Sequence, residues 1–193
     1  MRKFIIKNLD GKRIFILFIL TGIIYLAMLT VTIPKLTGFS GGMKILDMMP
    51  TGYDHAYVNS LLDALGSDGR HFYLFNQLPL DLVFPGINAI TFCLIFGYFF
   101  QKLGKIDSKL FYICYLPLFT ELFDYCENIG IITMLNSYPD NPIILSTVTN
   151  LFSVLKSSLT TIYSLILIFV LIAFAVKRFL QKSWIIVLIL DSD

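Results

Sequence analysis

Glu121, Asp124, Glu127 and Asn128 stand within Leu110–Leu135, an apolar run long enough to cross a bilayer. Ionisable groups at membrane depth are costly and rare, and those that occur usually have a task. Carboxyl groups so placed can move protons or hold a cation, and an amide beside them can orient a substrate. At about 100° per residue, Pro117, Glu121, Asp124 and Asn128 share one narrow arc, with Thr120 and Glu127 at its edges. Ile113, Leu122, Phe123, Tyr125, Cys126 and Ile129 take the opposite side. In hydrocarbon such a polar stripe must face other helices or water.

Two further segments carry matching faces. Gln77, Asp81, Pro85 and Asn88 follow one another by four, four and three residues and so share a side. Pro79 and Pro85 remove backbone donors there, which predicts a kink and freed carbonyls able to bind a cation or a substrate hydroxyl. A third face holds Thr149, Asn150, Ser153, Lys156, Ser157, Thr160 and Ser164, small polar groups that permit close helix approach. Counted from the basic ends of their segments, Asp81 and Lys156 lie about 31 Å up and Glu127 about 27 Å. Asp124 and Asn88 come out lower, near ~22 Å. The expected result is one acidic cavity in the outer half of the membrane. Lys156 neutralises one carboxylate, and the surplus must be protonated, hydrated or paired with a bound cation. Asp81, Asp124 and Glu127 are the candidate catalytic groups. Asn88, Glu121, Asn128 and Lys156 are the candidates for binding substrate or ion. Glu121 is the weakest member, at a depth that leaves it unpaired or facing a partner subunit.

The elements that must position these groups follow from composition. Of 193 residues, 56% are hydrophobic and only 15% charged, against roughly 25% charged in soluble domains. Four spans are expected, at about 14–33, 78–100, 110–135 and 152–176, in a single membrane domain covering 1–193. The fold class is an all-α four-helix transmembrane bundle. Each span approximates the 20 or so residues that cross ~30 Å of hydrocarbon. The run Ile143–Val176 exceeds one crossing, so its first turns stand in the outer interface or the helix tilts. The first span lacks the short core and cleavage site of a signal peptide and reads as an uncleaved anchor. Basic residues fix the orientation. All but four of the fifteen lie before span one, between spans two and three, or after span four. Both termini therefore face the cytoplasm, and the expected location is the bacterial cytoplasmic membrane. The tail Trp184–Leu190 is too short to span and is expected in the interface.

Residues 34–77 form the expected outer loop. Gly38, Gly41 and Gly42 read as turn material. Thr51 is placed to cap a helix from about Asp54 to Leu65, with Tyr57, Val58, Leu61, Leu62 and Leu65 on one face. Gly66 suits a left-handed helix end, and Ser67–Gly69 reads as a turn. The helix can roof the bundle from the membrane surface or serve as a partly packed connector. His55 and His71 lack a third ligand and a metal-binding spacing, so no metal is expected. Cys93, Cys114 and Cys126 form no C-x-x-C pair and read as packing residues. A net charge of +2 excludes the basic excess of a nucleic-acid binder. The sequence specifies no cofactor.

LPLDLVFP (Leu78–Pro85) and DYCENIGI (Asp124–Ile131) resemble a pair of motifs in small, uncharacterised bacterial four-span integral membrane proteins. The resemblance covers spans two and three and implies no activity. It adds weight to Asp81, Asp124, Glu127 and Asn128. Four-span thiol oxidoreductases differ plainly, because their cysteine pairs are absent here. Three functions remain open: acid–base chemistry on a lipid-like substrate, a cation- or proton-coupled transporter or channel element, and a non-catalytic subunit of a membrane complex. Expected partners are membrane lipids, with a second copy or another membrane protein possible in the last two cases.

Overall fold

The computed structural model describes residues 1–190, and the side chains of 1–181. All regular structure among the described residues is helical. A short helix, α1 (Arg2–Lys7), precedes α2 (Gly11–Phe39), α3 (His55–Leu103), α4 (Leu116–Ser137) and α5 (Ile143–Leu190). Three of these helices, Gly11–Phe39, His55–Leu103 and the Ile143–Gln181 part of α5, are long and apolar enough to cross a membrane. The chain is thus a helical protein with membrane-spanning character.

The surface supports that class. Phe15, Ile23, Val83, Phe119, Leu122, Ile129, Leu165 and Phe169 are exposed, whereas Thr120, Glu121, Asp124, Glu127, Asn128, Thr149 and Ser153 are buried. This inverts the order expected in water, where unpaired large apolar patches on this scale are not left open. α4 buries its polar stripe between α3 and α5, and α2 packs principally on α3.

Several boundaries differ from those read in the sequence. The first span begins at Gly11 and continues through Pro34 to Phe39. It contains one wider turn, Met28–Thr32, in which the Ile33 N–H reaches back to the Met28 carbonyl. The same device recurs in α3. There Tyr73–Gln77 form a wide turn, and the Leu78 N–H bonds to the Tyr73 carbonyl. Each wide turn ends two residues before a proline, Pro34 or Pro79. Proline lacks an N–H and its ring crowds the carbonyl four residues back. Widening the preceding turn lets the helix continue past it.

The stretch between α2 and α3 is residues 40–54, with one 3-10 turn at Leu46–Met48. Gly38 is helical, while Gly41 and Gly42 do take positive φ. Asp54, not Thr51, caps the next helix, its carboxylate accepting from the Tyr57 N–H at 2.7 Å. Gly66 takes φ 61° with ψ −175°, so it is not the left-handed helix end expected; it kinks α3, and the chain resumes helix at once. Ser67–Gly69 are consequently helical and not a turn. The first part of α3 thus joins the span without an intervening loop. The third predicted span starts with a tight 3-10 segment, Lys109–Tyr115, capped by Ser108, before α4 begins at Leu116. Trp184–Leu190 continue α5 as helix, and their side chains, on which the interfacial expectation rests, fall outside the described residues.

Two apolar cores bracket the polar faces. One gathers Leu36, Ile45, Leu46, Val58, Leu61, Leu62, Leu65, Ile131 and Met134. The amphipathic part of α3 therefore packs its apolar face onto the protein itself, against α2, the 40–54 loop and the end of α4. The second core joins Ile5, Ile14, Cys93, Phe96, Phe100, Phe111, Cys114 and Tyr163 at the other end. At that end Arg2 pairs with Asp107 at 2.6 Å, and Lys177 donates to the Lys102 carbonyl at 2.9 Å. The basic segments that set the expected orientation thus lie side by side.

Candidate functional site

Between the two cores lies a polar layer. Lys156 on α5 reaches across to α4, where its ammonium lies 3.2 Å from Asp124 Oδ1 and pairs closely with Glu127. α4 and α5 can approach because Gly130 faces Thr149; a Cβ at Gly130 would collide with the Thr149 side chain. Glu127 and Asn128 are wholly buried, at 0% exposure, and Glu121 is 4% exposed. Burying an ammonium here is tolerable only because two carboxylates flank it.

Asp81 is held by two groups. Its side chain accepts from Gln77 Nε2 at 2.7 Å, and Gln77 in turn accepts from the Thr32 hydroxyl. That chain links the two wide turns of α2 and α3. The Asp81 main-chain carbonyl accepts from Asn128 Nδ2 at 2.9 Å. The carbonyl freed by Pro85 is thus occupied by a protein amide, and the expectation that it would bind a cation or hydroxyl is corrected accordingly. Asn128 also lies 3.4 Å from Asp124 Oδ1. The two segments LPLDLVFP and DYCENIGI therefore touch through Asn128.

Glu121 accepts from Asn88 Nδ2. The expectation that it would be unpaired or turned to a partner subunit does not hold, because Asn88 projects from α3 at the same level.

A cavity of about 740 Å³ opens beside this layer, between α2 and α5. Asp81, Asn88, Glu121, Asp124 and Lys156 form its polar wall. Phe18, Tyr25 and Met28 from α2, with Phe84 and Phe92 from α3, add apolar lining. Ligand sites typically measure roughly 300–1,000 Å³ and combine apolar lining with a few convergent polar groups. Glu127 and Asn128 do not reach this space. They stand behind it, one gripping Lys156 and the other fixing the Asp81 backbone.

Sequence reasoning missed Asp47. It comes from the 40–54 loop, lines the cavity, and accepts from the Tyr73 hydroxyl at 2.7 Å. Its other oxygen is buried with no protein partner. The available signal was a lone acid in the apolar run Ile45–Met49. Tyr53 was also overlooked. Burial raises its phenol pKa, with the nearby Glu127 and Asp47 carboxylates adding to the rise, so it stays a neutral donor. The two histidines serve elsewhere: His55 bonds Ser146 at 2.7 Å, and His71 lies against Phe75.

No protein-family model, curated protein or solved structure matches this chain. Its class therefore rests on the fold and on this layer: a helical membrane protein with a carboxylate-lined cavity.

Proposed function

We propose that the chain crosses the bacterial cytoplasmic membrane four times, with both ends cytoplasmic. Its cavity binds the polar end of a lipid-like amphiphile and performs acid–base chemistry on it. The observation that carries this reading is the mixed lining of the cavity, which brings carboxylates together with a broad surface of aromatic and aliphatic groups. A bare ion or proton path has no use for a broad apolar wall, whereas an acyl chain does. α4 supplies the fourth crossing, since Phe119, Leu122 and Ile129 are exposed and its acids face inward.

Within this reading Asp81, Glu121 and Asp124 exchange protons with the substrate. Asp124 is held near Lys156, while Glu121 and Asp81 are held only by neutral amides. Different surroundings separate the acid from the base among carboxyl groups. Glu127 and Asn128 act as positioning residues. The core around Phe96, Phe100 and Phe111 closes the cavity from the basic end, which disfavours a continuous channel.

The test is turnover of extracted bacterial lipids by the purified protein in nanodiscs, followed by mass spectrometry. A changed lipid species that disappears with Asp81→Asn or Asp124→Asn, in folded protein, supports the enzyme. Cation flux in proteoliposomes without lipid turnover contradicts it and favours the transporter. Stoichiometric co-purification of another membrane protein, with neither activity, favours the subunit.

A further inference from the structure

Charge within the cavity narrows the ligand. Lys156 is already engaged by Asp124 and Glu127. Asp47, Asp81 and Glu121 also line the cavity, and none of the three has a cationic partner among the described residues. Their hydrogen-bond partners are a phenol and two amides. One oxygen of Asp47 is sealed from solvent without any partner. Lys44 stands at the cavity with its surroundings exposed, too solvated to neutralise this wall.

The aromatic lining has an independent bias. Tyr25 and Phe84 stack with centroids 5.7 Å apart, and Phe92 and Tyr163 meet at 5.5 Å. All four rings line the cavity. Aromatic faces attract cations through their quadrupole, most strongly when water is excluded. Carboxylates beside aromatic rings are the chemistry that recognises an ammonium group. Asp81 and Glu121 offer a phosphate or carboxylate head no cationic partner, so an anion gains nothing there.

We propose that the amphiphile taken by this cavity carries a cationic head, a primary or quaternary ammonium, and enters sideways between α2 and α5 with its chain against Phe18 and Met28. This assignment rests on the amphiphile-binding reading above and specifies its substrate class. A bound ammonium group supplies the charge that Asp81 and Glu121 lack.

The experiment titrates dodecyltrimethylammonium, dodecyl phosphate and dodecyl glucoside into the protein in nanodiscs of neutral lipid, with empty nanodiscs as the blank. Calorimetry reads the affinity. The ammonium probe is expected to bind at least about tenfold more tightly than either other probe, a difference of ~1.4 kcal/mol. Asp81→Asn and Glu121→Gln are each expected to weaken it by about tenfold or more. Phe84→Leu, which keeps the lining apolar, is expected to weaken the ammonium probe by a larger factor than the glucoside. Tighter binding of the phosphate or glucoside, sensitive to substitutions at Phe84, overturns the cationic assignment and leaves amphiphile binding standing. No saturable binding by any probe overturns both. Ammonium binding indifferent to Asp81→Asn and Glu121→Gln also overturns the assignment.

Discussion

Asn128 Nδ2 donates to the Asp81 main-chain carbonyl at 2.9 Å, the carbonyl whose helical donor is lost at Pro85. A break in one helix is thereby closed by a side chain from its neighbour. Leaving a buried carbonyl unsatisfied costs about 1–3 kcal/mol. Asn128→Ala should therefore destabilise the protein by roughly that amount. In a Pro85→Ala background the restored N–H can serve the carbonyl, and the same change should cost much less. A double-mutant cycle read by unfolding in mixed micelles checks this. The predicted coupling is about 1 kcal/mol or more, and additive effects would contradict it.

Lys156 and Glu127 form the most enclosed ion pair. Lys156→Met strands Glu127 without a counter-charge, and removing one partner of a buried pair costs about 3–5 kcal/mol. Adding Glu127→Gln removes the stranded charge and should recover most of that loss. Thermal unfolding of the two variants in the same detergent decides the matter. Equal instability of the single and double variants would argue against the pairing.

The approach of α4 to α5 depends on Gly130. A methyl group there meets Thr149, and overpacking of this kind costs about 1–3 kcal/mol. Gly130→Ala should lower stability, and Thr149→Ala should relieve part of the loss. Melting temperatures of the single and double variants provide the measurement, with no rescue as the adverse result.

Neutral replacements on the cavity wall should separate stability from function. Asp124→Asn and Glu121→Gln keep shape and remove charge from groups that face the cavity. Both should lose lipid turnover by about 10²-fold or more, the scale of general acid–base catalysis. Glu127→Gln should instead act through Lys156, lowering stability and activity together. Parallel assays of turnover and unfolding midpoint distinguish the two patterns.

Much of the geometry could be read from residue spacing. The faces Gln77–Asp81–Asn88 and Glu121–Asp124–Asn128 follow from helical periodicity, and the burial of Val58, Leu61, Leu62 and Leu65 follows from theirs. The positive φ of Gly66 was legible because few other residues tolerate it. The two wide turns were not, since a proline signals a disturbance but not how the chain absorbs it. Asp47 was hidden for a different reason: a loop has no period, so its direction is set by Ile45 and Leu46 anchoring in the core. Glu127 shares the polar arc of α4 with Asp124, yet only Asp124 reaches the cavity. That division depends on where Lys156 enters, which one helix's pattern cannot reveal.

The most direct test of a lipid-holding cavity is an experimental structure of the protein in nanodiscs made from bacterial lipid. The account predicts elongated density between α2 and α5, with a polar end about 3 Å from Asp81 or Glu121, the range of a hydrogen bond. Helices α2 and α5 packed directly together, with no space left beside Asp81 and Glu121, would contradict it.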